Sequence, residues 1–332
     1  MNLVNIKTLQ NLPNTLIGKA LGVLRRPGGR AATQPFYVEL CLTYRCNYSC
    51  SYCYQAPEKR NAFPDMSMED IRGLEENMRV SFRFRPRIYL FGGEPTLHPR
   101  FMEILGYFSG RGYRVSFATN GVGLRGRMKE ALSLKGVENV IISLNPHNMD
   151  RARGLLEEAR AVRSRRARAV SLNCPVDVAP ESGKSLAEIA EAFQGAGASY
   201  LSFQHSQSVF LGGRTADAGE IARQIREVRD KSFSIPVFFF PGIKDADLEA
   251  YYSDPGFPHD RKKCVLPWLD LFIRPDGGVT PCDEVDLVMG DAKKESLADI
   301  WNNGAYRAFR EAIRREGVSR PICARCCHRE YY

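Results

Sequence analysis

Three cysteines, Cys46, Cys50 and Cys53, lie within "CLTYRCNYSCSYCYQ" (41–55), and Cys41 precedes them. Thiolates packed this closely bind metal, yet a closed tetrahedral site takes four ligands, and the trio lacks a fourth at finger-like spacing. Three thiolates suit a 4Fe–4S cluster, with one iron left open for another ligand. A second set, Cys264, Cys282, Cys323, Cys326 and Cys327, gathers near the other end, and Cys174 stands by itself. Cys264-x17-Cys282 followed by Cys323-x2-Cys326 supplies four thiolates, enough to close a second cluster, and Cys327 could replace Cys326. A structural zinc ribbon could use the same four. Cys41 and Cys174 read as buried thiols.

These residues must be held by something regular. From residue 36, short β-branched or aromatic runs alternate with longer amphipathic ones: "FYVELCL" (36–42), "RIYLFGG" (87–93), "YRVSFATN" (113–120), "NVIISLN" (139–145), "AVSLNCPV" (169–176), "SYLSFQH" (199–205) and, less regularly, "IPVFFF" (235–240). Strands separated by helices imply a parallel sheet. Six βα units over 35–245 predict an α/β fold, a partial (β/α)6 TIM-like barrel, with a doubly wound sheet as the fallback. The cysteine trio, "GGEP", "TNG" and "SLNP" all fall at C-terminal strand ends, where barrel enzymes build their sites. Past residue 245 the rhythm changes. Two short strands flank "RPDGG", a hairpin signal, and one helix is expected over 296–317. Residues 246–332 therefore read as a separate small α+β module held together by metal, and 1–34 as a basic amphipathic segment.

Composition sets the outer bounds. The chain has 332 residues, 44% hydrophobic and 26% charged, with a formal charge of +9. Its longest apolar cluster, "IPVFFFPGI" (235–243), is far short of a spanning helix. With no secretory signal pattern, a cytoplasmic location is expected, where ten cysteines point to metal binding or catalysis rather than disulfides. Residues 1–34 carry Lys7, Lys19, Arg25, Arg26 and Arg30 and no acidic residue. That excess and "RARGLLEEARAVRSRRARA" (151–169) would attract an anion or a membrane surface; solvated helix faces explain them too. Packing of the first segment against the barrel's open bottom is an equal reading, and no nucleic-acid partner is expected.

The C-x3-C-x-aromatic-C pattern, with Tyr52 as the aromatic, resembles the signature of the radical S-adenosylmethionine (radical SAM) superfamily, over roughly residues 36–240. The resemblance implies that Cys46, Cys50 and Cys53 ligate a 4Fe–4S cluster and that S-adenosylmethionine chelates the open iron. It places Tyr52 against the adenine, and Gly92, Gly93 and Glu94 of "FGGEP" at the methionyl amino group. It places Thr119, Asn120, Ser143 and Asn145 at the carboxylate and ribose, although that last position is often Asp in the family. The implied mechanism is one-electron cleavage of the sulfonium to a 5′-deoxyadenosyl radical that takes hydrogen from substrate. An external donor such as flavodoxin or ferredoxin would supply the electron. "CVLPW" and "PDGGVTPC" resemble twitch and SPASM auxiliary-cluster modules, implying a second 4Fe–4S cluster on Cys264, Cys282, Cys323 and Cys326.

The module spacing resembles radical SAM dehydrogenases of aminocyclitols. The first expectation is therefore an oxidoreductase or dehydratase acting on a small polar substrate, such as a sugar, aminocyclitol or sugar nucleotide, anionic ones included. The alternatives are a maturase of a ribosomally made peptide, or a lipid-directed enzyme reached through peripheral membrane contact of the N-terminus. Maturases often carry a leader-binding domain, whereas about 35 residues precede this barrel. A non-catalytic iron–sulfur scaffold would have no use for the amine site in "GGEP". Asn173, Gln204, His205 and Arg274 are candidate substrate contacts, with His205 the expected proton acceptor at a strand end facing the barrel mouth.

Overall fold

The computed structural model describes residues 27–31, 33–53, 55, 58, 63–162, 169–205, 217–254, 257, 264, 266–317, 323 and 326. The basic amphipathic segment up to residue 26, the arginines at 163–168 and Cys327 lie outside the described residues.

Seven strands follow one another in parallel: β1 (Tyr37–Thr43), β2 (Arg87–Gly92), β3 (Val115–Thr119), β4 (Val137–Ser143), β5 (Ala169–Pro175), β6 (Leu201–Gln204) and β7 (Val237–Phe240). The helices between them are α1 (Met68–Ser81), α2 (Phe101–Gly110), α3 (Met128–Ser133), α4 (Met149–Arg160), α5 (Val178–Ser182), α6 (Leu186–Gln194) and α7 (Ala218–Asp230). Then come α8 (Leu248–Ser253), α9 (Leu266–Leu269), β8 (Asp270–Ile273), β9 (Gly278–Thr280), β10 (Gly290–Asp291), α10 (Leu297–Trp301) and α11 (Gly304–Glu316). The sheet runs β10-β9-β8-β1-β2-β3-β4-β5-β6-β7, so its two ends stay apart and the barrel is partial. The strand at 237–240 adds a seventh unit to the expected six.

Local sequence accounts for the helix boundaries. Ser67 and Asp70 close a capping box at the head of α1, and Ser185 and Glu188 do the same for α6. The helix expected over 296–317 is two helices, because the Asn303 side chain accepts the Tyr306 amide at 2.9 Å and starts a new one.

The C-terminal module is less separate than expected. Strand β8 pairs in parallel with β1, Tyr37 opposite Asp270 through Leu40 opposite Ile273, so the hairpin extends the barrel sheet itself. Asn77 of α1 locks the arrangement, donating to the carbonyls of Ala292 and Glu295 and accepting the Leu297 amide at 3.0 Å.

Strand alternation sorts the side chains. Val38, Leu40, Ile88, Leu90, Val140, Ile142, Leu172, Leu201, Phe203 and Leu271 face the helices and form one continuous core. The opposite, inner face splits by chemistry. Phe91 of β2 and Phe272 of β8, ring centroids 4.6 Å apart, make an aromatic wall with the Cys41 thiol of β1 in the same cluster. On β4, β5 and β6, Asn139, Ser171, Asn173, Ser202 and Gln204 make a polar one. Ser171 donates to Asn139 Oδ1 at 3.2 Å, Ser202 to Asn173 Oδ1 at 3.0 Å, and Asn173 Nδ2 to Gln204 Oε1 at 2.8 Å.

Candidate functional site: the cysteine loop and the strand ends beneath it

The loop after β1 is seated by glycine. Gly92 has φ +142°, and a Cβ there would lie 2.2 Å from the Thr43 carbonyl oxygen; one on Gly93 would lie 2.3 Å from that of Arg45 and 2.6 Å from that of Tyr44. Only hydrogen fits in those gaps. The Gly93 and Glu94 amides then donate to the carbonyls of Thr43 and Arg45, each at 2.8 Å. The two glycines of "FGGEP" thus bring the end of β2 against the root of the cysteine loop.

Side chains latch the loop to the neighbouring strand ends. Asn120 Nδ2 donates to Asn47 Oδ1 at 2.9 Å, Arg151 Nη1 to the Tyr48 hydroxyl at 2.9 Å, Ser51 Oγ to Glu181 Oε1 at 2.5 Å, and the Tyr52 hydroxyl to the Leu144 carbonyl at 3.3 Å. Contacts from β3, α4, α5 and the end of β4 therefore fix one loop.

Within it, the Cys53 amide donates to the Cys50 carbonyl at 3.2 Å and the Tyr48 amide to Cys46 Sγ at 3.5 Å. Burial pushes the Cys46 thiol up, and the negative charges of Glu94, Cys53 and Cys50 push it the same way. Such a thiol ionises readily only beside a compensating cation. Among the described residues no three His, Cys, Asp or Glu side chains are drawn together as one metal ion would hold them. Three cysteines on one loop, with a backbone amide aimed at the Cys46 sulfur, are a donor set that fits the cluster.

Glu94 is the centre beneath the loop. It is 1% exposed. Its Oε1 accepts from the Thr96 amide at 3.0 Å and the Thr119 hydroxyl at 2.7 Å, and its Oε2 from the Asn120 amide at 2.6 Å. Burial raises its pKa, opposed by these donors. Oε2 keeps a lone pair for another donor. The structure therefore joins "GGEP" and "TNG" through one carboxylate.

Two neighbours escaped the sequence reading. Asn148, 1% exposed, donates to the carbonyls of Asn120 (3.0 Å) and Ser143 (2.8 Å) and accepts the Asn145 amide at 2.8 Å, so it holds the ends of β3 and β4 together. Arg151, one helical turn on, reaches Tyr48. Asn at the head of a helix pattern was the available signal for the first. Asn145 does not aim at open space: its Oδ1 accepts the His147 amide at 2.9 Å and turns the chain toward α4. Ser143 is half-buried on the inner face.

His205 corrects an expectation. It follows Phe203 onto the helix side of the sheet and is completely buried, packed against Tyr251 (ring centroids 5.3 Å) and Tyr252, whose hydroxyl meets Nδ1. It is no proton acceptor at the mouth. Burial, aided by Arg229, holds its pKa down to about 3. The folded chain keeps the ring neutral, while the unfolded chain takes up a proton below about pH 6.5. That stability is full above pH 6.5 and is lost as pH falls. Wild type should lose about 2 kcal/mol more than His205→Phe between pH 7 and 5 in paired urea titrations; equal losses would show that the ring titrates normally.

Arg274 is also not free for substrate. It pairs with Asp276 and, at 2.8 Å, with Asp286, and covers the Phe63 ring at 5.2 Å. Asn173 and Gln204 do stand on the inner face, within the polar wall.

In the module, Cys323 and Cys326 are buried and linked by an amide–carbonyl contact of 3.5 Å. Burial pushes the Cys282 thiol well up, as do Asp283, Cys264 and Cys326. Cys282 thus stands within electrostatic reach of two of the other three expected ligands, a donor set that fits a cluster.

Comparison with known proteins agrees with this geometry. Residues 40–172 match the radical SAM superfamily model and residues 264–327 the SPASM iron–sulfur cluster-binding domain. The chain belongs to the radical SAM superfamily and carries a SPASM domain; its cofactors are S-adenosylmethionine, a 4Fe–4S cluster and a second, auxiliary 4Fe–4S cluster. Among relatives, it is 28% identical over 301 residues to the sporulation killing factor maturation protein SkfB of Bacillus subtilis (strain 168), covering 84% of this chain and 68% of that one. It is 23% identical over 322 residues to the AdoMet-dependent heme synthase of Methanosarcina barkeri (87% and 90%). It is 24% identical over 304 residues to the PqqA peptide cyclase of Granulibacter bethesdensis (87% and 79%). Streptococcus suis SuiB, solved with its precursor peptide SuiA, shares the fold, with TM-score 0.64 and 14% identity over 98% of this chain and 77% of that one. Among the described residues no helix is long and apolar enough to cross a membrane.

Proposed function

We propose that this radical SAM enzyme modifies a peptide. The observation that carries the reading is its similarity to a peptide cyclase across 87% of the chain. The match to a maturation protein supports it. The small sugar-like substrate first expected recedes accordingly. On the inner wall the half-buried carboxamides of Asn173 and Gln204 carry donors and acceptors of the kind that match peptide groups.

When bound, the cluster and S-adenosylmethionine supply one-electron reductive cleavage to an adenosyl radical able to take hydrogen from carbon. Cys46, Cys50 and Cys53 would hold the cluster, with Tyr52 closing over the adenine. Glu94 would take the cofactor's ammonium on Oε2, beside Gly92 and Gly93. Thr119, Asn120, Ser143 and Asn145 would line the carboxylate and ribose, with Asn148 holding the ends of β3 and β4 together. Cys264, Cys282, Cys323 and Cys326 would hold the auxiliary cluster. The aromatic wall would keep water from the inner face. An external one-electron donor completes the system.

The test uses anaerobically reconstituted protein, which should hold about eight irons per chain. With dithionite, S-adenosylmethionine and a short peptide encoded beside the gene, 5′-deoxyadenosine should form and the peptide should change mass. Deuterium from labelled peptide should appear in the 5′-deoxyadenosine. Deuterium transfer from a sugar or aminocyclitol, with none from peptide, would reverse the assignment.

A further inference from the structure

Arg310 of α11 is fully buried, and among the described residues it forms no ion pair. Its Nε donates to the Pro267 carbonyl at 2.6 Å, and its Nη1 to the Trp301 carbonyl at 2.6 Å and Asn302 Oδ1 at 3.1 Å. Its Nη2 is buried with no hydrogen-bond partner among the described residues. The guanidinium lies between the rings of Trp301 (4.2 Å) and Tyr306 (4.4 Å). Burial lowers its pKa to about 10, which still leaves it charged at neutral pH. A charge enclosed in this way, with no counter-ion among the described residues, is costly unless an anion is supplied.

The place where it is enclosed names the counter-ion. Pro267, which accepts from Nε, lies three residues past Cys264. The Tyr306 hydroxyl donates to the Thr280 carbonyl at 3.1 Å, and Thr280 Oγ1 donates to the Cys282 carbonyl at 2.9 Å. Burial pushes the Tyr306 phenol up, Arg310 opposes that, and Cys282 and the buried carboxylate of Asp270 add to it, so the ring lies within reach of both the cation and Cys282. The cation therefore stands between the arms carrying Cys264 and Cys282, one aromatic ring from the second. Helix α11 leads on toward Cys323 and Cys326.

We propose that Arg310 is the charge partner of the auxiliary cluster and sets its reduction potential. This rests on the auxiliary cluster of the SPASM domain occupying Cys264, Cys282, Cys323 and Cys326. A four-thiolate cluster is an anion that becomes more negative by one charge on reduction. A fixed cation nearby favours the reduced form more strongly and raises the potential. Arg310 acts through the field it sets, as a positioning residue rather than a catalytic one. Before the cluster arrives the same cation has no counter-charge among the described residues, so loading should stabilise the fold beyond the effect of ligation.

The test is an anaerobic redox titration of the full chain carrying both clusters, read by electron paramagnetic resonance. In Arg310→Gln the auxiliary transition should move to a more negative potential, while the S-adenosylmethionine-site cluster stays in place; Arg310→Lys should restore the wild-type value. An unchanged Arg310→Gln potential would overturn the proposal. So would equal shifts in both variants, since the effect would then be hydrogen bonding rather than charge. Should Arg310→Gln load poorly, thermal melting of Arg310→Met with and without iron decides. Loading should raise its melting temperature by less than it raises wild type's. An equal or larger rise would make Arg310 a bracket for three acceptors and nothing more. Absence of a second cluster signal in the wild type would instead remove the auxiliary reading itself.

Discussion

Gly93→Val should yield a chain with its helix-facing core intact, about half the iron, and S-adenosylmethionine cleavage lowered by at least about a hundredfold. The cause is steric and local. A Cβ at Gly93 would stand 2.3 Å and 2.6 Å from two backbone oxygens of the cysteine loop, which cannot yield as a flexible side chain would. Either β2 or the loop must retreat, and a displacement of about 1 Å at reacting groups costs roughly a hundredfold. Gly106→Ala in α2, where a Cβ meets nothing within 4 Å, is the matched control and should leave iron and activity alone. Full iron and activity in Gly93→Val would mean that the close approach carries no constraint.

Glu94→Gln should hold its iron yet bind S-adenosylmethionine about a hundredfold more weakly, by calorimetry on cluster-loaded protein. The carboxylate accepts from Thr96, Thr119 and Asn120 at once. A carboxamide nitrogen accepts from none of them, so a buried donor is stranded at about 1–3 kcal/mol. The lost charge removes the ammonium's partner as well, and a hundredfold is about 2.7 kcal/mol. Burial raises the pKa of Glu94, so affinity should also fall as the medium is acidified toward that value. Affinity unchanged in Glu94→Gln would place the cofactor's amine elsewhere.

The parts of this site that were legible in the sequence share a property: each is complete within a few residues. Cys46, Cys50 and Cys53 carry their spacing with them, and β1 to β6 announce themselves by composition, length and the helical runs between them. "GGEP" and "TNG" also sit where strands end, which put them on one face before any contact was known. What stayed hidden depends on distant partners. Asn148 and Arg151 read as ordinary helix-head residues, and only packing brings them to Asn120 and Tyr48. His205 differs from the inner-facing Gln204 by a single step of strand parity, too fine a distinction at an uncertain strand end. Arg274 looked available because Asp286, its second partner, lies across a loop. The module looked separate because parallel pairing of β8 with β1 leaves no mark in either strand.

That pairing bears on how the chain comes to be made. β1 emerges early from the ribosome, but its partner β8 follows roughly 230 residues later. At about 5–20 residues per second, one edge of the strand beside the cysteine loop stays bare for roughly 10–50 s. An unpaired edge of that kind is a template for other chains, and the contact is among the most non-local a sheet can make. Any shortened protein that stops before residue 270 keeps that edge of β1 bare.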